Sequence, residues 1–95
     1  MTIYELQETM MNSFDEKIKR SVGQKHSMWI RYKKLTEMRC GFNAEKRVYS
    51  VRECAEYMDV TPSRIYTMEN YVFRYFRQYH HIYLKKNKEE GWSVC

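Results

Sequence analysis

The sequence predicts an all-α fold, a small helical domain of four to five helices that contains a helix-turn-helix. Three observations predict it. The chain has 95 residues, enough for one modest core and too few for a deep substrate pocket. It holds only three glycines and one proline, which favours helices joined by short links over a strand-rich fold. Its apolar residues recur at helical spacing, between residues that start and stop helices. The expected organisation is a single domain over 1–95. Residues 1–26 form an N-terminal helix and link, 27–84 a helix-turn-helix core, and 85–95 a polar tail.

A first helix is expected over 2–20. Thr2 and Glu5 have capping-box spacing, and Ile3, Leu6, Met10, Phe14 and Ile18 fall near one face. Acids lie early and Lys17, Lys19 and Arg20 lie late, as the helix dipole favours. Ser21–Gln24, with Gly23, reads as the break. A second helix is expected over 27–40, with Ser27 as its N-cap. Met28, Tyr32, Leu35 and Met38 form its apolar stripe, with Trp29 beside them. Gly41 ends it, and a polar loop with Lys46 and Arg47 follows.

Ser50 and Glu53 form a second capping-box pair and open a third helix, about Val51–Met58. Asp59-Val60 reads as a tight turn. Thr61 then caps a fourth helix whose first residue is Pro62, where a missing N–H costs nothing. That helix is expected to run past Phe76 towards Leu84. The tail Lys85–Cys95 is polar until Trp92 and reads as loose.

The stretch VRECAEYMDVTPSRIYTMEN fits a helix-turn-helix. Cys54, Met58, Val60, Ile65 and Met68 supply apolar contacts, and Ala55 is the small residue that lets two helices approach. The turn position wants a left-handed residue, and Asp59 tolerates that better than most non-glycine residues. In such a unit the fourth helix would enter the major groove. Its base-facing residues would be Pro62, Ser63, Tyr66, Thr67 and Asn70. Arg52, Arg64, Arg74 and Arg77, with Lys46 and Arg47 in the preceding loop, are candidate phosphate contacts.

Charge points the same way. Residues 1–16 carry four acids and no base, a net of −4, whereas 17–95 carry 17 bases and eight acids, a net of +9. A basic body suits a polyanion, because each phosphate contact releases condensed counterions.

The segments LTEMRCGF and YSVRECAEYMDVTPSRIYTMENYVFRYF together resemble region 4 of the bacterial sigma-70 family, over about residues 29–78. Arg39-Cys40-Gly41 stands for its R-F-G, Tyr49–Cys54 for its aromatic-T-L-E-E-V entry, and Val60–Glu69 for its V-T-R-E-R-I-R-Q-I-E. The family's basic helix end is matched by Phe73–Arg77. Pro62, Ser63, Tyr66 and Thr67 replace the family's reading residues, so the resemblance implies the scaffold and not the usual −35 hexamer. There is no room for region 2, so it implies a free-standing region 4, such as a small regulator of a phage or mobile element. It further implies double-stranded promoter DNA as partner, and RNA polymerase, through its β flap, near Trp29, Tyr32 and Leu35. A mimic that binds polymerase or a sigma factor without reading DNA is the first alternative. The second is an excisionase or MerR-type regulator, whose Y-S-V-x-E-x-A-E-Y entry is similar but which continues into a strand wing. The sequence offers NYVFRYFRQYH there and predicts no wing.

Other chemistry is not expected. His26, His80 and His81 lack ligand spacing, so neither a metal nor another cofactor is expected. No nucleophile arrangement or phosphate loop is present, so an enzyme is not expected. Cys40, Cys54 and Cys95 form no CxxC or disulfide framework. Cys40 and Cys54 read as small apolar residues, Cys95 as exposed, and all three fit a reducing cytoplasm. No membrane span or signal peptide is expected. Tyr71, Phe73, Tyr75, Phe76, Tyr79 and Tyr83, with Val72, make the fourth helix apolar on more than one face. A second face covered by the N-terminal helix is expected, with a protein-docking face, a homo-oligomer included, as the other reading.

Overall fold

Capping side chains fix where three of the four helices begin. In the computed structural model, which describes residues 2–87 and 91–94, α1 spans Ile3–Arg20, α2 Gln24–Cys40, α3 Val51–Met58 and α4 Pro62–His80. Two strands follow, β1 Leu84–Asn87 and β2 Gly91–Val94. The mostly helical architecture agrees with the predicted class. The chain divides into two compact units, Met1–Lys34 and Leu35–Cys95, with the boundary inside α2.

In the first unit, the Thr2 hydroxyl accepts from the Glu5 amide at 3.2 Å and starts α1. Met10, Ser13 and Phe14 of α1 are buried, while Ile3 stays exposed. Phe14 meets Trp29 at a ring separation of 6.2 Å, and Lys17 lies over the same indole. Lys33 pairs with Asp15 at 2.6 Å. The start of α2 differs from the prediction. Gly23 takes a positive φ of 63° and its carbonyl accepts from the Ser27 amide at 3.3 Å. Ser27 therefore sits inside the first turn rather than capping it.

The second unit contains the C-terminal end of α2, then α3, α4 and the strands. Gly41 ends α2 with φ 74°, a left-handed stop that glycine adopts without steric cost. Leu35, Met38, Cys54, Ala55, Ile65, Met68, Val72 and Phe76 are among its buried side chains.

Two expectations fail at the C-terminal end. First, α4 stops at His80, four residues short of Leu84, because His81 turns left-handed at φ 54° and its amide donates to the Phe76 carbonyl. Second, the segment expected to be a loose tail forms an antiparallel hairpin, with Leu84 opposite Val94 and Asn87 opposite Gly91. The hairpin has its own anchor. Trp92 is buried, its ring meets Phe73 edge-on at 4.8 Å, and its indole N–H donates to Glu69 Oε2. The second apolar side of α4 is thus covered at Phe73 by the hairpin. The expectation for Cys95 lies outside the described residues.

Glu69 is the hub of this region. Its carboxylate is fully buried and accepts from Arg39 Nε at 3.0 Å, itself 1% exposed. The same guanidinium donates to the Tyr49 carbonyl at 2.7 Å and the Asn87 carbonyl at 3.3 Å. One arginine therefore ties the end of α2 to the loop before α3, to α4 and to β1. Removing one member of such a buried pair alone costs about 3–5 kcal/mol, because the other charge is left without compensation.

Candidate nucleic-acid interface

The α3–α4 unit is built by local chemistry. Ser50 Oγ accepts from the Glu53 amide at 3.1 Å, and Glu53 Oε1 accepts from the Ser50 amide at 3.0 Å, a complete capping box. Hydrogen bonding to the Ser50 N–H holds the Glu53 carboxyl below its ordinary value of 4.5, and the Arg47 guanidinium adds to the effect. Asp59 takes the left-handed conformation at φ 56°, ψ 49°, and its amide donates to the carbonyls of Ala55 and Glu56. The Val60 amide also donates to Ala55, at 3.0 Å. Thr61 Oγ1 then caps α4 by accepting from the Arg64 amide at 3.2 Å, with Pro62 in the first turn. Cys54, Ala55, Ile65 and Met68 are buried, and Met58 and Val60 are half-buried.

The opposite side of α4 faces outward. Pro62, Ser63, Tyr66, Thr67 and Asn70 are all exposed. Their spacing puts them on one helical face, and Arg74 and Arg77 continue the same ridge. The hydrogen-bonding capacity of this face is specific. The Thr67 hydroxyl donates to the Ser63 carbonyl at 3.2 Å, so its oxygen is left as an acceptor. Asn70 Oδ1 accepts from Lys86 Nζ at 2.7 Å.

The charge of this face has one sign. α4 contains three arginines and one acid. The acid is Glu69, buried against Arg39, whereas Arg64, Arg74 and Arg77 are exposed. Among the described residues none of these three forms an ion pair, and Arg52 on α3 is likewise exposed and unpaired. The loop residues behave differently. Lys46 is exposed. Arg47 is also exposed, but it pairs with the Glu53 carboxylate and stacks over the Tyr49 ring at 4.3 Å.

Trp29, Tyr32 and Leu35 are each buried. They are 6%, 6% and 0% exposed and leave little area for a partner. The histidines have structural surroundings. His26 Nδ1 lies 2.9 Å from the Ile18 carbonyl, His80 packs on Phe76 and Tyr75, and His81 ends α4. Burial pushes the Cys40 thiol up to about 12 and Cys54 to about 11, with Arg39 opposing in both. Both thiols stay protonated at neutral pH and are poor nucleophiles.

No family model matches the chain, and no curated protein or solved structure is found to be similar to it.

Sequence reasoning missed Lys86 and the buried Arg39–Glu69 pair. Arg39 and Glu69 both stood in the stretches that resemble the sigma family, yet nothing in their spacing showed that they meet. The hairpin carrying Lys86 had a faint signal. A short apolar run, Ile82–Leu84, and the alternating Trp92-Ser93-Val94 flank a polar stretch that ends in Gly91.

Proposed function

We propose that this chain binds duplex DNA through α3 and α4, with the exposed face of α4 in the major groove, and that it acts as a small regulator of transcription resembling a free-standing sigma region 4. One observation carries the reading. The outward face of α4 presents small polar groups and a tyrosine, followed by unpaired arginines, while the helix's one acid is buried in an ion pair. Polar side chains at that place can address base edges. Arginines further along the helix suit phosphates, which orient a protein on the duplex without reporting sequence. The alternative, a mimic that binds polymerase or a sigma factor without reading DNA, finds less support at Trp29, Tyr32 and Leu35, which are buried.

The hairpin favours a second reading. An excisionase or MerR-type regulator continues from its helix-turn-helix into a strand wing, and here a two-stranded hairpin follows α4. Both readings place α4 on DNA and differ in ancestry and in the role of β1.

The test is a binding titration of the full chain on duplex DNA across a salt series. Four phosphate contacts, from Arg52, Arg64, Arg74 and Arg77, give a log–log slope of about −3.6 and a loss of roughly 100-fold between 50 and 200 mM salt. Arg74→Ala lowers the slope by about one on every duplex alike. Absence of binding at low salt, or binding indifferent to salt, contradicts the reading.

A further inference from the structure

We infer that Lys86, on the C-terminal hairpin, belongs to the base-reading surface, and that with Asn70 it forms a donor pair selecting guanine. The inference rests on the DNA-binding reading above and deepens it.

Lys86 is held in place by its neighbours. The Asn87 carbonyl accepts from Arg39 Nη2 at 3.3 Å. Across the hairpin, Gly91 lies so close to Arg39 that a Cβ there would fall 1.9 Å from the Arg39 carbonyl oxygen. Trp92, directly opposite Lys86 in the strand pair, is buried and bonded to Glu69. Both strands are thus held against Arg39 at the end of α2, and β2 is held against α4 through Trp92.

Its ammonium then reaches the exposed face of α4. Nζ lies 2.7 Å from Asn70 Oδ1, 5.5 Å from the Tyr66 ring centroid and 5.7 Å from that of Phe73. Two of the five base-facing residues, Tyr66 and Asn70, therefore touch it. Glu69 Oε1 is 3.9 Å away, but the Glu69 charge is already matched by Arg39. Lys86 therefore leaves one positive charge in excess beside the groove face.

This contact sets what Asn70 can offer. With its oxygen turned to Lys86, the amide presents its NH2 group outward. The ammonium keeps further N–H donors of its own, since it has three. Donors alone therefore face the groove at this point. Of the four bases, guanine shows two acceptors, N7 and O6, on its major-groove edge. Adenine pairs one acceptor with a donor, cytosine shows a donor, and thymine an acceptor beside a methyl. A donor-only pair matches guanine and opposes the amino groups of adenine and cytosine.

The experiment selects duplexes from a random library with the full chain. Each base pair of the selected site is then substituted, and binding is measured for wild type, Asn70→Ala, Lys86→Met and Arg74→Ala. The expected result is one guanine that wild type prefers by about tenfold or more. Both Asn70→Ala and Lys86→Met reduce that preference to about twofold or less at the same base pair. Lys86→Met removes the ammonium and keeps an unbranched side chain, and Arg74→Ala leaves the preference intact. The inference is overturned if no guanine depends on both residues, or if Lys86→Met weakens all duplexes alike as Arg74→Ala does. If Lys86→Met does not fold, Asn70→Ala decides. Asn70 is exposed and alanine is a good helix former, so a guanine preference that survives its removal overturns the inference. Failure of wild type to bind any duplex at low salt refutes the DNA-binding reading itself, and the inference falls with it.

Discussion

Glu53 does two things at once. Its carboxylate closes the capping box on Ser50 and accepts the Arg47 guanidinium. Both favour the charged form, and its pKa lies below the ordinary 4.5, first because of the Ser50 N–H. A carboxyl depressed in the folded state adds stability that is complete above its unfolded value and is lost as pH falls through the folded value. Glu53→Gln should therefore lower Tm at pH 7, and the gap to wild type should narrow as pH drops below about 4.5. Thermal melts of both proteins from pH 7 to pH 3 check this, and a gap independent of pH contradicts it. Ser50, Glu53, Asp59, Thr61 and Pro62 were legible in the sequence because each acts within three or four residues of itself. Ser27 misled for the same local reason. Its hydroxyl suits a cap, but the left-handed turn at Gly23 had already started the helix.

Among the elements, the hairpin was the least legible. A strand of four residues has little periodicity, and LKKN shows no alternation of apolar and polar side chains. Its stability comes from partners distant in sequence, since Trp92 reaches Glu69 and Phe73, and Arg39 reaches Asn87. The same distance hid the end of α4. Residues 81–84 suit a helix by type, but His81 turns left-handed and Ile82 returns its amide to the Phe76 carbonyl at 3.1 Å. Gly91 is where the hairpin is most exacting. Its φ is 79°, and an added Cβ would run into the Arg39 carbonyl and Val48. Gly91→Ala should cost about 1–3 kcal/mol from overpacking alone, with the left-handed backbone adding to it. The loss should centre on the hairpin. Hydrogen exchange should quicken at Leu84–Asn87 and Gly91–Val94 before it quickens in α3, and exchange unchanged along both strands contradicts the packing described.

Over the whole chain, charge and burial are arranged in opposite senses. Residues 1–16 carry a net charge of −4 and the remainder +9, and the second unit buries the one acid of α4 with Arg39. What is left outward on α4 is polar or positive. Among the described residues no helix is long and apolar enough to cross a membrane. The mostly helical class, the α3–α4 unit and the exposure of its outer face were legible, because they follow from spacing and caps. The buried arginine and the lysine beside Asn70 were not, since they depend on how distant segments pack. The central claim is that the outer face of α4 meets DNA, and amide chemical-shift mapping of the full chain titrated with duplex DNA tests it most directly. The largest shifts should fall on Ser63, Tyr66, Thr67, Asn70, Arg74 and Arg77, with Lys86 moving alongside Asn70. Shifts absent at low salt, or confined to residues 3–34, would contradict it.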